Sequence, residues 1–141
     1  MRHVDTPLPT DVVDRLPAVG RLIERNPSVV FAYVFGGVAR GRVTPLSDLD
    51  IAVFLDEHVS HGEVKANLAA ELGTFLASDA VDIVVLNTAP LSLAGRVLAD
   101  AKVLVDRDPS RRYEYESLTR RMFFDFRYLE RAILQRRYGV G

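Results

Sequence analysis

The chain has 141 residues, 48% hydrophobic and 26% charged, with a formal net charge of −1. That balance suits a globular chain long enough to bury a real core and excludes a disordered one. The near-neutral charge removes any whole-molecule pull towards nucleic acid or acidic membranes, and the lack of cysteine excludes disulfides, thiolate zinc sites and cysteine nucleophiles.

Met1 to Pro9 holds no apolar core of signal-peptide length, and no apolar run approaches the roughly 18 residues that cross a bilayer. A soluble, cytoplasmic protein with no membrane association is expected. No repeat, low-complexity tract or long linker divides the chain, so one domain over residues 1–141 is expected.

Thr10 before Asp11-Val12-Val13 reads as a helix N-cap, with Val12, Val13 and Leu16 on one side of a short helix. Pro17 breaks it and opens a second helix whose stripe is Val19, Leu22 and Ile23, and Asn26-Pro27 ends that piece. Val29 to Phe35 is a β-branched and aromatic strand stopping at Gly36-Gly37. Leu49 to Leu55 is a second strand. Glu63 to Ala77 has helical spacing through Val64, Leu68, Leu72, Phe75 and Leu76.

Val81 to Leu86 is a third strand, Leu91 to Ala99 a helix, and Lys102 to Val105 a short fourth strand. From Pro109 to Arg137 the apolar positions Tyr115, Leu118, Met122, Phe126, Leu129 and Ile133 step by three or four, as one face of a long helix requires. Gly139 and Gly141 mark its end. The order predicts an α/β (α+β) fold with a small mixed sheet flanked by helices and a long C-terminal helix.

The stretch from Phe35 to Phe54 carries the chemistry. Residues two apart on a strand share a face, so Asp48 and Asp50 project together while Leu49 and Ile51 enter the core. Two adjacent carboxylates repel unless a cation lies between them, and hard oxygen donors favour Mg²⁺ or Mn²⁺. Taken alone, an Asp-x-Asp at a strand start also reads as a solvated acidic loop. Upstream, Gly36-Gly37 follows a buried strand and lets backbone N–H groups approach an anion, although most Gly-Gly pairs are ordinary tight turns. Asp82, an acid within the apolar strand Val81 to Val85, is placed to join the metal site or accept a proton. Its other reading is a strand-end residue or buried ion-pair partner.

Gly36-Gly37, Asp48-x-Asp50 and a third acid in a later strand together resemble the polymerase-β-type nucleotidyltransferase superfamily. The string Ala39-Arg40-Gly41…Pro45-Leu46-Ser47-Asp48-Leu49-Asp50-Ile51 is similar to its minimal nucleotidyltransferase branch, which supplies MntA-type antitoxins encoded beside HEPN-domain toxins. The chain length and the segment Phe124-Asp125-Phe126-Arg127-Tyr128-Leu129 suit that branch. The resemblance implies a polymerase-β-like fold in which Asp48 and Asp50 hold two Mg²⁺ ions carrying a nucleoside triphosphate. It implies that Asp82 contacts the metal shared with the nucleophile and helps to deprotonate it, and that Gly36 and Gly37 contact the phosphates. For this branch the donor is ATP and the acceptor a tyrosine of the HEPN toxin, an RNase silenced by attached AMP, as in type VII-like toxin–antitoxin systems. Where the family usually has Ser, this chain has Gly37, so a backbone contact is expected there.

Arg40 either reaches the triphosphate or forms a surface ion pair, and Ser47 either binds phosphate or caps its turn. His58 and His61, with Glu57 and Glu63, are read as solvated residues of a polar loop rather than a metal cluster. Between Arg107 and Arg137 there are nine arginines and five acids. That helix is either a solvated face or a docking surface for an acidic partner or RNA bound to it, to which Tyr113, Tyr115, Tyr128 and Tyr138 would contribute. The expectation is a Mg²⁺-dependent protein adenylyltransferase complexed with its HEPN toxin, with no direct nucleic-acid binding. The alternatives are a non-catalytic antitoxin acting by steric binding and a nucleotidyltransferase for a small molecule.

Overall fold

The computed structural model describes residues 6–138, with the side chain of Tyr138 excepted; Gly139, Gly141 and most of the segment from Met1 to Pro9 lie outside the described residues. The element order is α1 (Leu16–Glu24), β1 (Val29–Phe35), α2 (Gly36–Ala39), β2 (Leu49–Leu55), α3 (His61–Leu76), β3 (Val81–Val85), α4 (Leu91–Asp100), β4 (Lys102–Asp106) and α5 (Pro109–Tyr138). The strands form one sheet in the order β3-β2-β1-β4. β1 pairs antiparallel with β2 and β4, and β2 pairs parallel with β3. A parallel pair needs a crossover, which α3 supplies. The expected mixed sheet is thus observed.

Strand alternation makes two cores. One face carries Ala32, Val34, Leu49, Ile51, Val53 and Ile83, sealed by Val19 and Ile23 of α1 and by Val64, Leu68 and Leu72 of α3. The other carries Phe31, Tyr33 and Ala52, covered by Val97 and Leu98 of α4 and by Tyr115 of α5. Phe31 stacks on Phe54 at 4.8 Å between ring centroids, and Tyr115 leans on both rings at 5.7 and 5.4 Å. Each such side chain contributes roughly 1.5–3 kcal/mol on burial.

Three local expectations are corrected. Residues 10–15 form turns rather than a helix capped by Thr10, with the Val12 N–H donating to the Pro9 carbonyl at 3.1 Å. Val12 is buried and Val13 exposed. Pro17 then sits in the first turn of α1, where its missing N–H costs nothing. The third-strand helix partner, α3, begins at His61 because Ser60 caps it, its hydroxyl accepting the Glu63 N–H at 3.4 Å. It ends at Leu76, where Ala77 turns left-handed with φ of +50°. Phe75 lies off the buried stripe of α3 and is exposed.

α5 has 30 residues, and only its first half packs on the body. The Tyr33 hydroxyl donates to Glu116 Oε2 at 2.6 Å, and Arg112 bridges Glu116 at 2.9 Å and Asp106 at 3.0 Å, tying α5 to β1 and β4. Phe123 seats against Gly95 of α4, where any Cβ would overlap the ring. From Phe124 to Arg137 every side chain is exposed. The predicted apolar face is therefore helical in period, but among the described residues it is left largely exposed beyond Tyr115. Among the described residues, no helix is long and apolar enough to cross a membrane.

Candidate active site

β1 delivers the chain to Gly36, whose φ of +75° is a left-handed conformation that a side chain would strain. The turn runs into α2, whose first N–H groups have no intrahelical acceptor. The Gly37 carbonyl accepts the Arg42 N–H at 2.8 Å and so folds the following loop back on the glycines. Across the antiparallel ladder, Phe35 faces Asp50. A Cβ on Gly36 would lie 2.5 Å from Asp50 Oδ2, so only glycine leaves room for that carboxylate.

Asp50 is half-buried, and in the parallel β2–β3 register it stands directly opposite Asp82. Residues opposite in a parallel ladder share a face, at the strand spacing of about 4.8 Å. Leu49 and Ile51 point into the core, as expected. β2 begins at Leu49, whose N–H is held by the Ala80 carbonyl at 2.8 Å, so half-buried Asp48 flanks the strand rather than lying in it. Asp82 is exposed, not buried among apolar neighbours, because its alternate positions Val81 and Ile83 take the core side. It opens onto a cavity of about 400 Å³ whose walls include Val84, Thr88, Leu93, His61 and Lys65.

Two secondary candidates make local contacts. Arg40 pairs with Asp100 of α4 at 2.5 Å, which links α2 to α4 beside the site. Ser47 caps its turn, its hydroxyl accepting the Thr44 N–H at 2.8 Å. His58 is exposed; the His61 ring bonds the Asp56 carbonyl at 3.2 Å. Among the described residues, no group of three or more His, Asp or Glu side chains is arranged to hold a metal by itself. The carboxylates Asp48, Asp50 and Asp82 still fit a divalent ion of the Mg²⁺ type, which characteristically takes one or two carboxylates and completes its shell with water and substrate phosphates. The room left at Gly36 for the Asp50 carboxylate is the structural mark of that fit.

The sequence did not single out the buried network of Tyr33, Arg112 and Glu116, although Arg112-x-x-x-Glu116-x-x-x-Arg120 beside Tyr115 signals it: an acid bracketed by arginines at helical spacing on a buried face. Burial opposes the charge on Glu116, yet the Tyr33 hydroxyl and Arg112 hold its carboxyl below the usual range. Burial, reinforced by Glu116, pushes the Tyr33 phenol well above its ordinary value.

The family model described as polymerase beta, nucleotidyltransferase matches residues 19–110, the segment that contains Asp48, Asp50, Asp82 and the glycine turn. No curated protein matches. Among solved structures, an MntA–HepT toxin–antitoxin variant with aspartate-to-glutamate substitutions is similar at a TM-score of 0.68 and 24% identity, covering 91% of this chain and 97% of that one. A tri-AMPylated Shewanella oneidensis HEPN toxin in complex with an MNT antitoxin gives 0.65 and 22%, over 87% and 96%. A toxin–antitoxin structure with AMP-PNP gives 0.61 and 24%, over 87% and 92%. At these identities the likeness speaks for the fold.

Proposed function

Because the chain belongs to the polymerase β nucleotidyltransferase family, we propose that it is a minimal nucleotidyltransferase domain acting as the antitoxin of a HEPN RNase toxin, transferring AMP from ATP to a toxin tyrosine in the cytoplasm. The observation that carries this reading is the pairing of Asp50 with Asp82 beside a glycine that leaves room for the Asp50 carboxylate. The fold shared with antitoxins of MntA–HepT and HEPN–MNT complexes, one of them with a tri-AMPylated toxin, supports the choice of partner and acceptor.

Asp48 and Asp50 would hold Mg²⁺, two ions in all with Mn²⁺ able to substitute, and Asp82 would share one of them. When bound, the cations supply charge neutralisation for the triphosphate and for the developing oxyanions. Asp82, exposed on the wall of the adjoining cavity, would take the proton of the attacking hydroxyl. The acceptor oxygen forms its bond to the α-phosphorus as the bond to pyrophosphate breaks in line. Gly36 and Gly37 present backbone N–H groups to the phosphates, so Gly37 serves without the hydroxyl usual in the family. Arg40, held by Asp100, buttresses the glycine turn from α4.

Incubating the chain with the HEPN-domain protein that this proposal places beside it in the genome, and ATP labelled on its α-phosphate, tests this. Label on the neighbour that requires Asp50 supports transfer. A neighbour that is bound and inhibited without label favours a steric antitoxin instead.

A further inference from the structure

The strand order β3-β2-β1 sets Asp82, Asp50 and the glycine turn side by side, one to a strand. At the usual strand spacing, the edge that carries Asp82 lies roughly 10 Å from the turn proposed to hold the phosphates. The cavity of about 400 Å³ at Asp82 is walled by β3, the start of α4 and the first turns of α3. Among the described residues, none from β1, α2 or β2 lines it. It therefore lies beyond the carboxylates, on the side away from the glycines.

Val84 and Leu93 give this cavity an apolar wall, and Asp82, Thr88 and Lys65 give it polar ones. A largely apolar hollow with a few placed polar groups is the usual form of a ligand pocket. Lys65 is exposed and forms no ion pair with another described residue. Its helical neighbours three and four residues away are His61, Gly62, Leu68 and Ala69, none of them acidic.

We infer that the cavity receives the acceptor tyrosine and that Lys65 reads an acidic residue beside that tyrosine in the partner chain. Lys65 is then a specificity-determining residue, and the inference rests on the function proposed above. Position and charge decide between occupants. The triphosphate belongs to the glycine turn, two strands away. A nucleoside would fill the apolar part and leave Lys65 without an anion. A tyrosine lying on Val84 and Leu93 brings its hydroxyl to Asp82, and a neighbouring carboxylate meets the Lys65 ammonium. Such charge pairs select among partners more than they add raw affinity.

The test measures steady-state AMP transfer by the full chain to the HEPN-domain protein, varying that protein and ATP in turn. Lys65→Glu should raise KM for the HEPN-domain protein at least about 10-fold, as a like-charge contact does, and leave KM for ATP within about twofold. Lys65→Arg should stay close to the unsubstituted chain. Thr88→Trp, which fills the cavity from an exposed position, should also raise KM for the acceptor alone. An acid-to-Lys change beside the modified tyrosine, located by mass spectrometry, should restore transfer by Lys65→Glu. Unchanged circular dichroism melts check the fold of each variant. An unchanged acceptor KM in Lys65→Glu and Thr88→Trp overturns the inference and leaves the proposed function standing. A raised KM for ATP assigns the cavity to the nucleotide and overturns it too. So does a loss confined to AMP additions after the first, which would assign Lys65 to the phosphate of an attached AMP. No transfer by the unsubstituted chain overturns the proposed function, and the inference with it.

Discussion

Asp50 and Asp82 stand opposite each other across the parallel β2–β3 ladder. Like charges facing each other on adjacent strands destabilise a sheet. A cation bound between the two carboxylates would offset that repulsion. In chelator, Asp82→Asn should melt at the same temperature as the unsubstituted chain or a few degrees higher. Mg²⁺ with ATP should raise the melting temperature of the unsubstituted chain, as any ligand of the folded state does, and raise that of Asp82→Asn by much less. Differential scanning fluorimetry with and without EDTA reads both. An Asp82→Asn chain that melts lower in chelator and keeps the full Mg²⁺ gain contradicts the assignment.

Gly36→Ala meets two obstacles, a φ of +75° and an Asp50 oxygen 2.5 Å from the new Cβ. We expect a loss of about 1–3 kcal/mol, seen as a lower urea midpoint, together with loss of nucleotide transfer as Asp50 is pushed aside. Gly37→Ser has no positive φ to fight, only the Arg42 carbonyl 3.3 Å from its Cβ. It should cost well under 1 kcal/mol, about the scale of a tolerated surface change, and retain transfer. Equal damage from both substitutions would show that the glycine turn has no special relation to Asp50.

The buried Tyr33–Glu116–Arg112 network gives a pH signature. Glu116 titrates below its unfolded value, so its contribution is fully present above about pH 4.5 and is lost as pH falls through the folded value. Tyr33 titrates above its unfolded value, so its contribution holds below about pH 10 and is lost as pH rises beyond it. Tyr33→Phe strips Glu116 of a donor and should cost about 1–3 kcal/mol near neutrality. It should also flatten the alkaline loss, while Glu116→Gln flattens the acid one. Chemical denaturation across the pH range reads these slopes, and variants whose profiles run parallel to the unsubstituted chain would refute the network's role.

Gly95 is where α5 rests on α4, with the Phe123 ring in the space of any side chain. Gly95→Val should destabilise by about 1–3 kcal/mol through overpacking. It should also raise hydrogen exchange in α5 ahead of the sheet. Uniform exchange across the chain would mean that α5 does not hinge on that contact.

Much of this architecture was legible in the sequence. The bounds of β1 and β2 follow from β-branched runs closed by Gly36-Gly37 and opened after Asp48. The three carboxylates and the glycine turn were visible as residue types at fixed separations, and the ladder brings Asp50 and Asp82 together as strand adjacency implied. Helix starts were less legible. Thr10 looked like a cap, but Pro17 lets the helix begin only at Leu16, and Ser60 moved the start of α3 to His61. The exposure of Asp82 and of the outer α5 stripe was not legible, because periodicity reports which residues share a face and not what covers it. The Arg40–Asp100 pair joins residues 60 apart and depends on where α4 crosses the sheet.

The central claim is that Asp48, Asp50 and Asp82 serve nucleotide transfer to a protein partner. Intact mass of the neighbouring HEPN-domain protein, after incubation with this chain, ATP and Mg²⁺, tests it most directly. The prediction is a gain in whole steps of AMP, abolished by Asp50→Asn or by EDTA. A neighbour of unchanged mass, or a gain that persists with Asp50→Asn, would contradict it.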